Sequence, residues 1–194
     1  MGRYDPINHH RRSIRLRGYD YSRPGAYFVT LCTQGRECLF GEIADEEMVL
    51  NEYGKIVEQC WRDLTNHYHN VQLDHYIVMP NHFHGIIIIK SVVTGSSVVG
   101  AGFKPAPTTT HPAPTNSDHP AHKHHGLSEF IRALKTFSSK HINQIRNTPG
   151  TPVWQRNYYE HIIRDNLEYQ KITTYIRNNP KNWRDDAFYD SQRQ

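Results

Sequence analysis

At 194 residues the chain is long enough for one compact domain with a real core and too short for two generous ones. Its 23 Lys and Arg against 19 acidic residues give a net charge of +4, and 14 histidines could add to it beside a polyanion, so the balance leans toward nucleic acid. Three cysteines without CxxC spacing argue against a disulfide framework or zinc knuckle, and the longest apolar run, Ile86 to Ile89, is far too short to cross a bilayer.

No apolar stretch at the start resembles a signal peptide, so a cytoplasmic, nucleoid-associated protein with no membrane partner is expected. Residues 1–24 read as a basic arm in which Arg11, Arg12, Arg15 and Arg17 would contact DNA phosphates, the alternative being a solvated terminus. Residues 26–33, β-branched and aromatic between Pro24-Gly25 and Gln34-Gly35, predict the first strand. Apolar residues at three-and-four spacing from Val49 to Leu64 predict a helix over 46–64. Residues 71–79 alternate as a half-buried strand should, Pro80-Asn81 marks a turn, and 82–90 forms the second arm of a hairpin.

Residues 94–126 shift to Gly, Ser, Thr, Pro and His without periodicity and read as a flexible insertion in a single domain spanning 1–194. Helical spacing returns over 127–145, with Arg132, Lys135 and Lys140 on the polar side, and Lys135 is a candidate DNA contact. An aromatic strand is expected over 153–163, where Arg156 is a further candidate DNA contact. Asp165, with Glu168 three residues on, signals a helix start, and Pro180 stops that helix after Asn178. This order predicts an α+β fold: a ferredoxin-like or RRM-like sandwich, with a four-stranded antiparallel sheet, two helices on one face, and a further C-terminal helix.

Two imidazoles at i and i+2 on a strand project from one face and can meet one divalent cation. The chain has three such pairs where composition alone gives about one, and only His82-Phe83-His84 heads a well-formed central strand. On the last helix, Tyr175 is a candidate nucleophile, because a phenol beside a cation can attack a phosphodiester reversibly. Asn179, one turn on, either offers its amide oxygen to that cation or ends the helix before Pro180. Tyr158 and Tyr159 are rival nucleophiles, with core packing as their commoner role.

Three ordered blocks, Pro80-Asn81-His82-Phe83-His84-Gly85-Ile86, Val153 through Arg164, and Tyr175-Ile176-Arg177-Asn178-Asn179-Pro180, closely resemble the REP-associated tyrosine transposases, which are single-tyrosine HUH transposases. The Tyr27-Phe28-Val29-Thr30 strand matches as well. The resemblance implies that His82 and His84 ligate Mg2+ or Mn2+, with Asn179 standing where insertion-sequence relatives have glutamine. It implies that Tyr175 forms a 5′-phosphotyrosine and frees a 3′-hydroxyl. The expected partner is single-stranded DNA folded into a REP-like hairpin, handled by a monomer or homodimer. A hairpin-binding module that has lost cleavage, and a histidine-rich metal-handling protein, are the competing readings.

Overall fold

The computed structural model describes residues 18–91 and 125–189. The arginines of the basic arm and nearly all of the Pro/Thr/His-rich insertion lie outside them. In chain order the elements are β1 (Gly25–Cys32), β2 (Gly41–Ala44), β3 (Glu47–Leu50), α1 (Glu52–Arg62), α2 (Leu64–His67), β4 (Val71–Met79), β5 (His82–Ile89), α3 (Leu127–Ile145), β6 (Tyr159–Ile163) and α4 (Asn166–Asn178). Four of the strands form one antiparallel sheet in the order β4-β5-β1-β6, and β2 pairs with β3 in a separate ribbon. The fold is the α+β sandwich expected from the element order.

Strand alternation divides the sheet's side chains between two faces. Tyr27, Val29, Leu31, Phe83 and Ile87 point to the face covered by α1 and α3, where they join Trp61, Phe130 and Leu134 in the main core. Gly85 makes the closest approach there, because a Cβ at that position would lie 2.7 Å from the Trp61 ring. Phe28 and Ile86 point the other way and pack with Ile176 of α4, flanked by Ile77, Ile88 and Ile172.

Two stretches depart from the sequence reading. The helix expected from residue 46 begins only at Glu52, because Asp45 and Glu46 take positive φ (49° and 63°) and turn β2 into β3. Asn51 then caps the helix, its Oδ1 accepting from Gly54 N at 3.0 Å. The strand expected over 153–163 contracts to β6, preceded by a single bridge between Thr33 and Trp154. Gln155 N still donates to the Cys32 carbonyl at 2.9 Å, and residues 154–158 are further held by α3. Trp154 Nε1 donates to Ser138 Oγ at 2.9 Å, and Lys135 Nζ donates to the carbonyls of Gln155 (2.8 Å) and Asn157 (2.9 Å).

The position of α4 is set at both ends. Asp165 caps it by accepting from Glu168 N at 2.8 Å, and Glu168 in turn accepts from Arg164 N and pairs with His161 Nε2 on β6. A register shift in β4 between Leu73 and Tyr76 turns Asp74 and His75 toward the helix. There Tyr169 Oη donates to Asp74 Oδ2 at 2.6 Å and Arg177 donates to His75 Nε2 at 2.6 Å. Burial pushes the Asp74 carboxyl up, but the Tyr169 and His75 hydrogen bonds more than offset it and leave the carboxyl below its ordinary range.

Candidate active site

His82 and His84 leave β5 on the α4 face and are 0% and 1% exposed, with ring centroids 4.5 Å apart. Each ring is aimed by a hydrogen bond from its Nδ1 side. His82 Nδ1 lies 2.9 Å from Asn81 Oδ1, so Nδ1–H donates there and Nε2 carries the lone pair. That Nε2 is buried without a hydrogen-bond partner. His84 Nδ1 lies 2.8 Å from Thr30 Oγ1, which turns Nε2 toward α4.

The phenol of Tyr175 meets that nitrogen at 3.2 Å. It also donates to Asp186 Oδ2 at 3.3 Å, and Asn179 Nδ2 donates to the same oxygen at 3.0 Å. Asn179 is 1% exposed, and with its amide nitrogen engaged its Oδ1 is left buried and without a partner. His82, His84 and Asp186 each offer a ligand atom within 4.8 Å of the others. Two neutral imidazoles, a carboxylate and an orphaned amide oxygen form a donor set that fits a divalent cation, and the two orphaned atoms are what such an ion would satisfy.

The electrostatics agree with that fit. Burial drives His82 down to about 4 against the pull of the Asp186 carboxylate, and burial with its imidazole neighbour drives His84 well below its ordinary value. Both rings are therefore neutral near pH 7, the form that ligates metal. Burial and the Asp186 carboxylate raise Tyr175 to about 12, so the resting phenol keeps its proton.

The segment after α4 runs over the cluster. Phe188 lies 4.6 Å from the His82 ring and 6.1 Å from His84, with the Arg36 guanidinium 5.5 Å above its own ring. Asn81 Nδ2 fastens this segment through the Phe188 carbonyl at 2.7 Å.

No profile of a known protein family matches the chain. It is 38% identical over 187 residues to an uncharacterised protein of Haemophilus influenzae, covering 96% of this chain and 97% of that one. Among solved structures it is similar to a REP-associated tyrosine transposase bound to a REP hairpin, with a TM-score of 0.52 and 16% identity over 87% of this chain and 73% of the other. The chain belongs to the family of the Haemophilus protein and has the REP-associated tyrosine transposase fold.

Within this transposase fold, the residues singled out in the sequence separate into two groups. His82, His84, Tyr175 and Asn179 come together on the α4 face. Lys135 and Arg156 stand apart from them, in a groove of about 860 Å3 between α3 and residues 147–156. Burial lowers the Lys135 ammonium to about 8, and with two carbonyls and the Tyr158 ring (5.6 Å) as neighbours it holds the loop together. Arg156 is exposed. Of the rival tyrosines, Tyr158 packs against the main core, whereas Tyr159 is 43% exposed on the α4 face.

Sequence reasoning missed Asp186. An Asp185-Asp186 pair after a helix stop looks like ordinary surface charge, and only the return of the chain across the sheet brings it to the histidines. Among the described residues, no helix is long and apolar enough to cross a membrane.

Proposed function

We propose that this protein is a metal-dependent DNA nickase and strand transferase that acts on hairpin-forming single strands through a covalent tyrosine link. The observation that carries the reading is the 3.2 Å approach of the Tyr175 phenol to His84 Nε2, beside the orphaned His82 Nε2. The similarity to a transposase solved with a REP hairpin supports the choice of partner.

His82, His84 and Asp186 would hold the cation, with Asn179 Oδ1 available as a fourth protein donor. A magnesium or manganese ion held there would supply a Lewis acid that offsets charge on the scissile phosphate. The Asp186 carboxylate adds the hard oxygen that such ions prefer and that two imidazoles lack.

In the proposed step, Tyr175 Oη bonds to phosphorus, and the bond from phosphorus to the departing 3′-oxygen breaks. The products are a 5′-phosphotyrosine and a 3′-oxyanion that takes a proton from water to become the free 3′-hydroxyl. The phenol proton has a ready acceptor in Asp186 Oδ2, with which it already shares a hydrogen bond. Because the linkage remains a phosphodiester, another 3′-hydroxyl can reverse the step and reseal the strand. Nucleophile and imidazoles meet within one chain, as attack in cis requires, whether the working unit is a monomer or a homodimer. Arg156, together with Arg11, Arg12, Arg15 and Arg17 of the arm, would contact backbone phosphates, while Lys135 acts indirectly by fixing the loop that carries Arg156. DNA as substrate implies a cytoplasmic, nucleoid-associated site of action.

A hairpin binder without cleavage is a second reading, favoured by the near-complete burial of both imidazoles under the Phe188 segment. Tyr175 is 43% exposed, but a phosphate reaching the His82 and His84 nitrogens as well requires that segment to move aside. The two readings separate when the protein is incubated with hairpin oligonucleotides carrying single-stranded flanks, with and without Mn2+. Cleavage predicts strand-specific products and an adduct stable to denaturing electrophoresis, absent in Tyr175→Phe although that variant still binds. Binding without metal-dependent products, or an undiminished adduct in Tyr175→Phe, would refute the proposed mechanism.

A further inference from the structure

We infer that Tyr159 is a stacking platform for a base flanking the phosphate attacked by Tyr175, an inference that rests on the nickase reading. Strand alternation sends the adjacent tyrosines to opposite sides. Tyr158 packs into the main core, and Tyr159 opens β6 on the α4 face with 43% of its surface exposed.

The cross-strand register ties Tyr159 to the site. Thr30 of β1 pairs with His84 on one side and with Tyr159 on the other, so the three side chains stand in a row on one face of the sheet. Phe28 fills the space beside that row. Its ring lies 6.4 Å from Tyr159, edge-on, 5.3 Å from His84 and 6.2 Å from Tyr175. Tyr159 is thus the outer member of an aromatic group whose inner members are the nucleophile and a candidate metal ligand. β6 is the outermost strand of the four-stranded sheet, so a nucleotide can approach the ring from the side.

An aromatic ring half in water beside a reactive phosphate has a physical use in single-strand recognition. Every base offers a π-face, and stacking on an aromatic side chain changes affinity by about ten- to hundredfold per base. Duplex DNA keeps its bases stacked on each other, so such a platform also favours unpaired flanks. The competing explanation is that tyrosine suits an edge strand by β-propensity alone, in which case another β-former would serve as well.

The test uses a hairpin oligonucleotide with short single-stranded flanks carrying 2-aminopurine at one position at a time, bound to Tyr175→Phe protein so that nothing is cut. One flanking position should be quenched, and adding Tyr159→Ala should abolish that quenching. In the Tyr175 protein, Tyr159→Ala should slow adduct formation about ten- to hundredfold, while Tyr159→Phe and Tyr159→Trp retain it. An abasic residue at the quenched position should slow wild type to the level of Tyr159→Ala and slow that variant no further. Should Tyr159→Ala fail to fold, Tyr159→Leu keeps the bulk without the π-face and should show the same losses.

Quenching at no position, or wild-type rates in Tyr159→Ala, or equal rates in Tyr159→Thr and Tyr159→Trp, would overturn the inference while leaving cleavage intact. Tyr159-dependent quenching in a protein that forms no adduct would sink the nickase reading and leave the stacking role standing.

Discussion

Beneath α1 and α3 the central sheet presents carbon almost throughout: Tyr27, Val29, Leu31, Phe83 and Ile87 are fully buried, and Trp61 rests directly on the bare backbone at Gly85. Beneath α4 the same strands present Phe28 and Ile86 alongside Thr30, His82 and His84, and two buried polar atoms there, His82 Nε2 and Asn179 Oδ1, have no partner. Each such orphan costs on the order of 1–3 kcal/mol relative to a satisfied group. The first face also holds an unpartnered atom, Trp61 Nε1, but stabilises the fold by packing, whereas on the second the two orphans lie together at the candidate site, where a ligand can relieve their deficit. Holding both in one sheet lets the first offset the second.

The comparison is sharpened most by supplying the ligand. Mn2+ at a hundredfold excess over its dissociation constant should stabilise the protein by about 2.7 kcal/mol, as read from chemical denaturation. Asp186→Asn should remove most of that gain while leaving metal-free unfolding near wild type. If the metal shifts both proteins equally, the α4 face has no such deficit for it to relieve.

On the opposite face, Gly85→Ala drives a methyl into the Trp61 ring and should destabilise by about 1–3 kcal/mol. An unchanged denaturation midpoint would break the contrast, because that face would then have room to spare.

A smaller effect is expected at the foot of α4. The Arg164 amide and then His161 hold the Glu168 carboxyl below its ordinary range. A depressed folded-state pKa means that the contribution is present above the unfolded value of about 4.3 and fades as pH falls toward the lower folded value. Glu168→Gln should therefore flatten the acid limb of the stability curve over that window and change little near pH 7. A steeper acid limb in the variant would have the wrong sign.

Much of the α4 face was legible in the sequence because its signals are local. His82 and His84 flank Phe83, whose full burial on the other side gives the strand its alternation, and Asp165 with Glu168 marks the start of α4 within four residues. The hairpin of β2 and β3 was not legible. Its turn residues, Asp45 and Glu46, look like a helix N-terminus, and Val49 with Tyr53 mimics helical spacing across the junction at Asn51. Nor was the short β6, because the stretch before it is held partly by Lys135, twenty residues upstream of Gln155, whose ammonium binds the Gln155 and Asn157 carbonyls. Asp186 was hidden for the same reason, its importance lying in where α4 returns the chain.

The contact between Gly85 and Trp61 has a consequence for how this protein can vary. Odd positions of β5 belong to the main core and even positions to the α4 face that carries His82 and His84, so inserting or deleting one residue within the strand would exchange the two sets. The imidazoles would be driven against the indole, and the bulk of Phe83 would enter the candidate site. No intermediate alignment satisfies both sides, which makes the interior of β5 the segment least able to tolerate a change in length.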